Sequence, residues 1–261
     1  MADRQDKSKL MTDSGSLFVS TENKIATVTF SHPASNSFPS DLLQKLTKEL
    51  NAISKNPDVN VVILQSEGTT FCAGASFDEL LSIKNLTSGE KFFSGFADVI
   101  NAMRKCSKII IGKIQGKAVG GGVGLISACD IAFAYQDASV KLSEIAIGIG
   151  PFVIEPAVSR KIGKTAMAEM TLQPSIWQSA DWAKEKGLYA DIFDSQTEVN
   201  DAVLNLAERL ASYNPESLTA MKKVFWEGTE HWDQLLYERA AISGKLVLSE
   251  FTKEALSQFK K

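Results

Sequence analysis

The stretch GKAVGGGVGLISACD, at residues 116–130, decides how the rest of the chain is interpreted. Its three consecutive glycines, Gly120, Gly121 and Gly122, stand where a strand pattern changes into an apolar helical pattern. A glycine inside regular structure costs about 0.5–1 kcal/mol relative to alanine, so three together require a local reason. Two reasons are available: the backbones pack closely there, or backbone N–H groups must approach a ligand.

A second turn of the same kind precedes this one along the chain. The segment GTTFCAGASFDELL, at residues 68–81, follows the strand pattern VVILQS and leads into a short helix. Small residues let the main chain approach a bound group, and a helix start offers unpaired N–H donors at the positive end of its dipole. Two such turns that converge would direct two N–H donors at one oxygen atom. The pair therefore indicates an oxyanion-binding site more specifically than either turn alone.

Strand and helix patterns alternate up to about Ile154 and are followed by helical patterns almost throughout. Strands are predicted from alternating or continuous apolar runs at residues 24–30, 59–67, 109–116 and 130–135. Helices are predicted from apolar stripes at residues 39–55, 89–105, 177–186, 199–213, 215–226 and 232–248. The first two helices should bury Leu42, Leu43, Leu46, Leu50, Ile53, Phe92, Phe93, Phe96, Val99, Ile100 and Met103. This order predicts an α/β core followed by a helical region.

Composition is that of an ordinary globular protein, with 44% apolar and 23% charged residues. The 28 basic and 31 acidic residues leave a net charge of −3, which gives no general attraction to nucleic acid or to an anionic membrane. The polar start MADRQDKSKLMTDSG does not resemble a secretory signal, and no run of about 18 apolar residues occurs. Three widely spaced cysteines fit reduced thiols. We therefore expect a cytoplasmic location.

Several kinds of catalytic site have no support in the sequence. There is no CxxC or HExxH motif and no P-loop spacing, so we expect no metal site. The segment GGGVG lacks the spacing of a dinucleotide-binding turn, and no Gly-x-Ser-x-Gly elbow of a serine hydrolase occurs. The two histidines, His32 and His231, are expected to have turn or cap roles. Chemistry in this chain should therefore rely on carboxylates and backbone dipoles.

Three segments together resemble the successive signatures of the crotonase (enoyl-CoA hydratase/isomerase) superfamily. They are FCAGASFDEL at residues 71–80, IQGKAVGGGVGLISACDIAFA at 114–134 and VKLSEIAIGIGP at 140–151, and the resemblance extends over nearly the whole chain. It implies an α/β fold made of a spiral of β-β-α turns with a C-terminal helical region. Residues 1–14 would then be a flexible N-terminus, 15–193 the core with an acyl-CoA site, and 194–261 a helical trimerisation region. The chain would form a homotrimer or a dimer of trimers.

The same resemblance implies where the substrate binds. The substrate would be a coenzyme A thioester, with no separate cofactor. Its thioester oxygen would lie between the backbone N–H groups of Ala75 and Gly121, so the resemblance favours a functional reason for the glycines. The substrate-binding residues beside these donors would be Ala73, Gly74, Gly120, Gly122 and Gly124.

The superfamily's two catalytic glutamate positions correspond here to Gly124 and Glu144, so one carboxylate is retained and one is absent. Hydratases typically use the pair, whereas a single carboxylate can move a proton between two carbons, as double-bond isomerases do. The chain also resembles bacterial enoyl-CoA or methylglutaconyl-CoA hydratases that carry glycine at the first position. Hydration, in fatty-acid metabolism or leucine degradation, is therefore the first expectation and isomerisation the alternative. Glu155 could supply a second carboxylate, although an exposed helical position is favoured.

A catalytically weak acyl-CoA binder and an RNA-binding relative are hypotheses of a different class. Some superfamily members bind RNA through a lysine-rich first helix, and Lys45, Lys48 and Lys55 lie on the corresponding helix here. They are interspersed with Asp41 and Glu49, so a solvated helix face explains them better. We therefore expect no nucleic acid or membrane as a partner. Glu144 should lie in a partly apolar pocket that raises its pKa towards neutrality.

Overall fold

Strands and helices alternate along the first two thirds of the chain in a computed structural model that describes residues 15–258. The strands are β1 (Ser16–Glu22), β2 (Ile25–Ser31), β3 (Val61–Ser66), β4 (Thr70–Cys72), β5 (Ile109–Ile114), β6 (Lys117–Val119), β7 (Ile131–Tyr135), β8 (Ser139–Lys141), β9 (Gln178–Ser179) and β10 (Asp191–Phe193). The α-helices are α1 (Ser40–Lys55), α2 (Phe77–Ser82), α3 (Leu86–Lys105), α4 (Gly121–Ala128), α5 (Glu155–Leu172), α6 (Ala180–Glu185), α7 (Gln196–Ser212), α8 (Pro215–Phe225), α9 (Trp232–Leu246) and α10 (Glu250–Gln258). The predicted flexible N-terminus, residues 1–14, lies outside the described residues.

The larger sheet has six strands in the order β1-β2-β3-β5-β7-β10. All neighbours are parallel except the β1-β2 hairpin, and Ile63 of β3 pairs with Thr27 on one side and Ile111 on the other. Strands β3 and β5 are buried along nearly their whole length, as their continuous apolar runs indicate. Parallel neighbours need crossover connections, which α1, α3 and α4 help to supply.

The smaller sheet has four strands in the order β4-β6-β8-β9. Its first three strands are parallel, and each one directly follows a strand of the larger sheet: β4 follows β3, β6 follows β5, and β8 follows β7. A helix comes after each of these strand pairs, which gives a repeated β-β-α unit. The spiral of β-β-α turns with C-terminal helices is therefore confirmed.

Helices cover both faces of the larger sheet. On one face, all eleven residues predicted to be buried on α1 and α3 are buried in the main core, at no more than 8% exposure. On the other face, α7 packs Val199, Val203 and Ala207 against Ile63 and Ile111. Helix α7, which the sequence assigns to the C-terminal helical region, therefore packs directly on the sheet.

The predicted pattern after residue 154 is wrong at two places. The helix expected at residues 177–186 begins only at Ala180, because Gln178 and Ser179 form β9 against β8. Residues Asp191–Phe193 form β10, which extends the larger sheet beside β7. Strand β1 was also not predicted. Strands β9 and β10, of two and three residues, carry too little periodicity to be recognised from the sequence. Strand β1 has seven residues, so this reason does not apply to it.

Asp130, the last residue of the opening stretch, ties α8 to the core. Its carboxylate accepts hydrogen bonds from the Lys222 ammonium (2.6 Å), the Trp226 indole N–H (2.8 Å) and the Ile110 backbone N–H (2.8 Å). The side chains of Asp130 and Lys222 are only 3% and 2% exposed. A buried carboxylate with this many partners is a structural anchor.

Helix α9 folds back onto α3. An added Cβ at Gly89 would lie 2.6 Å from the backbone oxygen of Gly244, so the two helices touch through their backbones there. No helix within residues 15–258 has the length and apolar character needed to cross a membrane. The predicted trimerisation role of the C-terminal helices stays a prediction.

Candidate active site

The two glycine-containing turns meet directly. Gly74 has a φ of +88°, and an added Cβ there would lie 2.9 Å from the Val119 oxygen and 3.7 Å from the Gly121 nitrogen. Gly120, in the other turn, has a φ of +52° and a ψ of −115°, a conformation that favours glycine. The convergence predicted from the sequence is therefore present in the structure.

Both turns present an unpaired backbone N–H group. Phe38 donates to the Gly74 oxygen (2.8 Å) and accepts from the Ser76 N–H (3.1 Å), so these two peptide groups face Phe38. Because successive peptide groups of an extended segment alternate in direction, the Ala75 N–H points the other way. The Gly121 N–H begins α4, where the first N–H groups lack helical acceptors. Neither N–H finds an acceptor within the described part of the chain.

Gly120 and Gly121 both border a cavity and have no room for a side chain. A Cβ at Gly120 would lie 2.5 Å from Oε1 of Glu144, and a Cβ at Gly121 would collide with the Phe96 ring. The carboxylate and the ring therefore approach the turn as closely as a glycine backbone permits. Close packing and an available N–H group thus coincide at Gly121, and the two reasons considered for the glycine run apply together.

Gly122 and Gly124 face away from the cavity. A Cβ at Gly122 would lie 2.8 Å from the Cys72 backbone oxygen, and a Cβ at Gly124 would lie 2.5 Å from Cγ2 of Ile154. Neither glycine lines the cavity. Both therefore pack behind the cavity wall, and their part in substrate binding stays a prediction. Helical periodicity points these positions of α4 at other elements.

The other six predicted site residues line the cavity: Ala73, Gly74, Ala75, Gly120, Gly121 and Glu144. Most of its remaining wall is apolar and comes from α2, α3 and the segment after β8. That wall includes Leu80, Phe93, Phe96, Ile147, Ile149 and Ile154. The wall residues contributed by the segment after residue 144 were not singled out from the sequence, because only the tertiary fold brings them next to the turns.

Glu144 is the carboxylate of this cavity. It is the first residue of a 3₁₀ helix, Glu144–Ile147, and its Oε2 is buried with no hydrogen-bond partner in the portion that the structure describes. Burial raises its pKa from 4.5 to about 7, although backbone N–H groups of Glu144 and Ser143 partly oppose the shift. A carboxyl group with this pKa can accept and return a proton near neutral pH.

Glu155 and Cys72 do not take part in the cavity chemistry. Glu155 is half-buried at the start of α5, accepts a hydrogen bond from Ser159 Oγ (2.7 Å) and does not line the cavity. It is thus not the exposed residue expected, but it is also not a second carboxylate of this site. Cys72 is fully buried, and burial raises the pKa of its thiol to about 12, so it is not a reactive thiolate.

His32 and Lys45 make contacts that are typical of a turn and of a helix surface. His32 lies in a turn, where its Nδ1 accepts a hydrogen bond from the Ala34 N–H (3.1 Å), as expected. Lys45 forms an ion pair with Asp41 (3.0 Å) on the solvated face of α1. An exposed pair of this kind is typical of a helix surface.

Known proteins resemble this chain over nearly its full length. A family model described as enoyl-CoA hydratase/isomerase matches residues 20–260. A peroxisomal Delta(3,5)-Delta(2,4)-dienoyl-CoA isomerase of Arabidopsis thaliana is 28% identical over 85% of this chain and 84% of its own. The 2,3-dehydroadipyl-CoA hydratase of Escherichia coli is 29% identical over 82% of this chain and 83% of its own.

Solved structures share the fold. An enoyl-CoA hydratase from Mycobacterium avium superposes with a TM-score of 0.81 at 26% identity, covering 94% of this chain and 95% of that one. An enoyl-CoA hydratase from Bacillus halodurans superposes with a TM-score of 0.85 at 20% identity, covering 93% and 99%, which at this identity speaks for the fold alone.

Proposed function

This chain belongs to the enoyl-CoA hydratase/isomerase family, and we propose that it transfers a proton at the carbon next to the carbonyl of an acyl-CoA thioester. One observation carries the proposal. A single buried carboxyl group with a pKa of about 7 lines the same cavity as two residues whose backbone N–H groups have no acceptor within residues 15–258. That combination supplies an acid/base group and an oxyanion site.

In this mechanism the Ala75 and Gly121 N–H groups hold the thioester oxygen. Negative charge develops on this oxygen when the adjacent carbon loses a proton, and fixed donors stabilise that charge without reorganising. Gly121 adds the positive end of the α4 dipole. Loss of one such donor typically costs about 2.7–4 kcal/mol of transition-state stabilisation.

Glu144 moves the proton. In its ionised form it takes a proton from carbon 2 of a 3-enoyl thioester, which leaves a dienolate held by the two N–H groups. Glu144, now neutral, returns the proton to carbon 4, and the double bond ends between carbons 2 and 3. The proton and both electron pairs are conserved, so no further acid or co-reactant is needed.

The cavity favours isomerisation as the reaction. Glu144 is the one carboxylate among the lining residues that the structure describes, and Ile154 fills the space in front of Gly124. An apolar wall opposite the carboxylate suits proton transfer between carbons better than the fixing of a water molecule. Hydration is the second candidate, favoured by the sequence resemblance and by relatives that are named as hydratases.

A panel of thioesters distinguishes the two reactions. With 3-hexenoyl-CoA, an isomerase produces the absorbance of the conjugated 2-enoyl thioester; with crotonyl-CoA, a hydratase removes it. We expect faster turnover of the first substrate. The Glu144→Gln variant serves as the control, because it should lose either activity while still binding acyl-CoA. Failure of the wild-type protein to turn over or bind any acyl-CoA at millimolar concentration would reject the proposed function.

We also propose assembly into a homotrimer or a dimer of trimers. Helix α8 leaves Met221, Val224 and Phe225 between 45% and 51% exposed on one helix face, and a contiguous apolar patch of this kind is typical of a protein–protein interface. Light scattering of the purified protein should give a mass of three or six chains. A monomer mass at micromolar concentration would contradict this assembly.

A further inference from the structure

One hydroxyl group stands out in the wall of the apolar cavity. Only three lining residues have polar side chains, namely Ser143, Glu144 and Ser243, and no Lys, Arg or His from residues 15–258 is among them. Ser143 and Glu144 are adjacent in one loop. Ser243 comes from α9, a separate element, and is only 1% exposed.

The Ser243 hydroxyl has no hydrogen-bond partner in the described chain. A buried helical serine usually donates to the carbonyl four residues earlier, as Ser127 does to the Val123 oxygen at 2.8 Å. Leaving a buried hydroxyl unsatisfied is unfavourable, so such a group in a cavity wall is available for a ligand.

Ser243 lies beside a close contact between two helices. Its neighbour Gly244 forms the backbone contact with Gly89, which fixes α9 against α3. Phe93 and Phe96 of α3 line the same cavity as Ser243. A polar group on a helix held in this way can select one ligand geometry.

We propose that Ser243 determines acyl-group specificity, its hydroxyl binding a neutral oxygen substituent, such as a hydroxyl or keto group, on the acyl chain of the substrate. This inference rests on the proposed function, since it takes the cavity as the acyl site. The proton transfer by Glu144 and the binding of the thioester oxygen by the two N–H groups do not depend on the rest of the acyl group. Ser243 would add a preference for one class of acyl group.

We expect a neutral substituent because the cavity wall offers no cationic side chain from residues 15–258. A carboxylate on the acyl group would be buried in an apolar chamber with no cation on its wall among the described residues. Burying an unpaired carboxylate is strongly unfavourable. A plain alkyl chain would fill the chamber but leave the Ser243 hydroxyl without a partner. A site that hydrogen-bonds a substrate oxygen discriminates against an analogue that lacks it.

Matched thioesters test this inference. The set is an unsubstituted hexenoyl-CoA, its hydroxy derivatives at carbons 5 and 6, its keto derivative at carbon 5, and a carboxylate of equal length. We expect the best neutral oxygen derivative to exceed the alkyl thioester in kcat/KM by about tenfold, and the carboxylate to be the poorest. Ser243→Ala should remove this preference and leave kcat/KM for the alkyl thioester within about twofold.

Controls separate this inference from the proposed function. Ser127→Ala removes another buried helical hydroxyl outside the cavity and should leave the substrate preference unchanged. Saturated analogues of the same set, which cannot react, give the preference as a ratio of Kd values. If the enzyme turned over the alkyl thioester and its oxygen derivatives with equal kcat/KM, the role of Ser243 would be overturned while the proposed function would stand. An equal fall for every thioester in Ser243→Ala would also overturn this role, since that would place the hydroxyl at the reacting carbons.

Discussion

Two buried carboxylates in this protein have opposite surroundings. Asp130 is held by the Lys222 ammonium, the Trp226 indole N–H and a backbone N–H, all within 2.8 Å. Glu144 has a buried Oε2 with no partner among residues 15–258, and it borders an apolar cavity. Partners stabilise the ionised form of a carboxylate, whereas burial alone destabilises it. The first group therefore anchors a helix, and the second can exchange a proton with a bound molecule.

Glu144→Gln should give the largest effect, and it tests the reactive member of the pair. Glutamine keeps the shape but can neither accept nor return a proton, so kcat should fall by about 10²–10⁴-fold. Stopped-flow absorbance on the preferred thioester measures the loss, and calorimetry with a saturated acyl-CoA should show unchanged binding. Near-wild-type turnover would remove Glu144 from the mechanism.

Lys222→Met tests the structural member. The change leaves the Asp130 carboxylate buried without its cation, so the free energy of unfolding should fall by about 3–5 kcal/mol. Urea denaturation measures this loss. Lys45→Met is the matched control, because Lys45 pairs with Asp41 on the exposed surface and should cost at most about 1 kcal/mol. Similar losses for the two variants would contradict the assignment of Asp130 as an anchor.

The dependence of the free energy of unfolding on pH should reveal the raised pKa of Glu144. Its pKa is raised from 4.5 to about 7 in the folded state, so the native protein binds a proton more tightly than the unfolded chain does. Its stabilising contribution is complete below about pH 4.5 and is lost as pH rises through about 7. At pH 8, Glu144→Gln should therefore be more stable than wild type by about 3 kcal/mol, at 1.36 kcal/mol per pKa unit.

This difference between the two proteins should disappear at pH 4. Parallel urea titrations at the two pH values measure it. A constant difference across that range would mean that Glu144 does not have a raised pKa. The kcat/KM of the wild type should rise with pH through the same region, because the ionised carboxylate is the form that removes the substrate proton.

Gly124→Glu should give the smallest change in stability, and it adds a second carboxylate in addition to Glu144. Its Cβ would meet Ile154 at 2.5 Å, so the single variant should lose about 1–3 kcal/mol through overpacking. Gly124→Glu combined with Ile154→Ala makes room for the new side chain and should raise the ratio of crotonyl-CoA hydration to isomerisation. Ile154→Ala alone is the control. An unchanged ratio in the double variant would show that a second carboxylate does not select hydration here.

Elements with local signals can be predicted from the sequence alone. Apolar periodicity located α1 and α3 to within a few residues, and the steric demands of Gly74 and Gly120 located both turns. These signals are readable because helix periodicity and positive φ angles depend on residues that are close in the chain. The resemblance then led to Glu144, and the structure places this residue in the cavity with both turns.

Features that depend on distant partners become visible only in the folded chain. Strands β9 and β10 exist because β8 and β7 pair with them, and Gly124 faces Ile154 because α5 packs against α4. The same holds for the two buried carboxylates: Lys222 lies 92 residues from Asp130 in sequence, while no such partner reaches Glu144 within the described chain. Ser243 enters the cavity only because α9 folds back onto α3. Burial and pairing are properties of the packed chain, since they are set by contacts that no local pattern encodes.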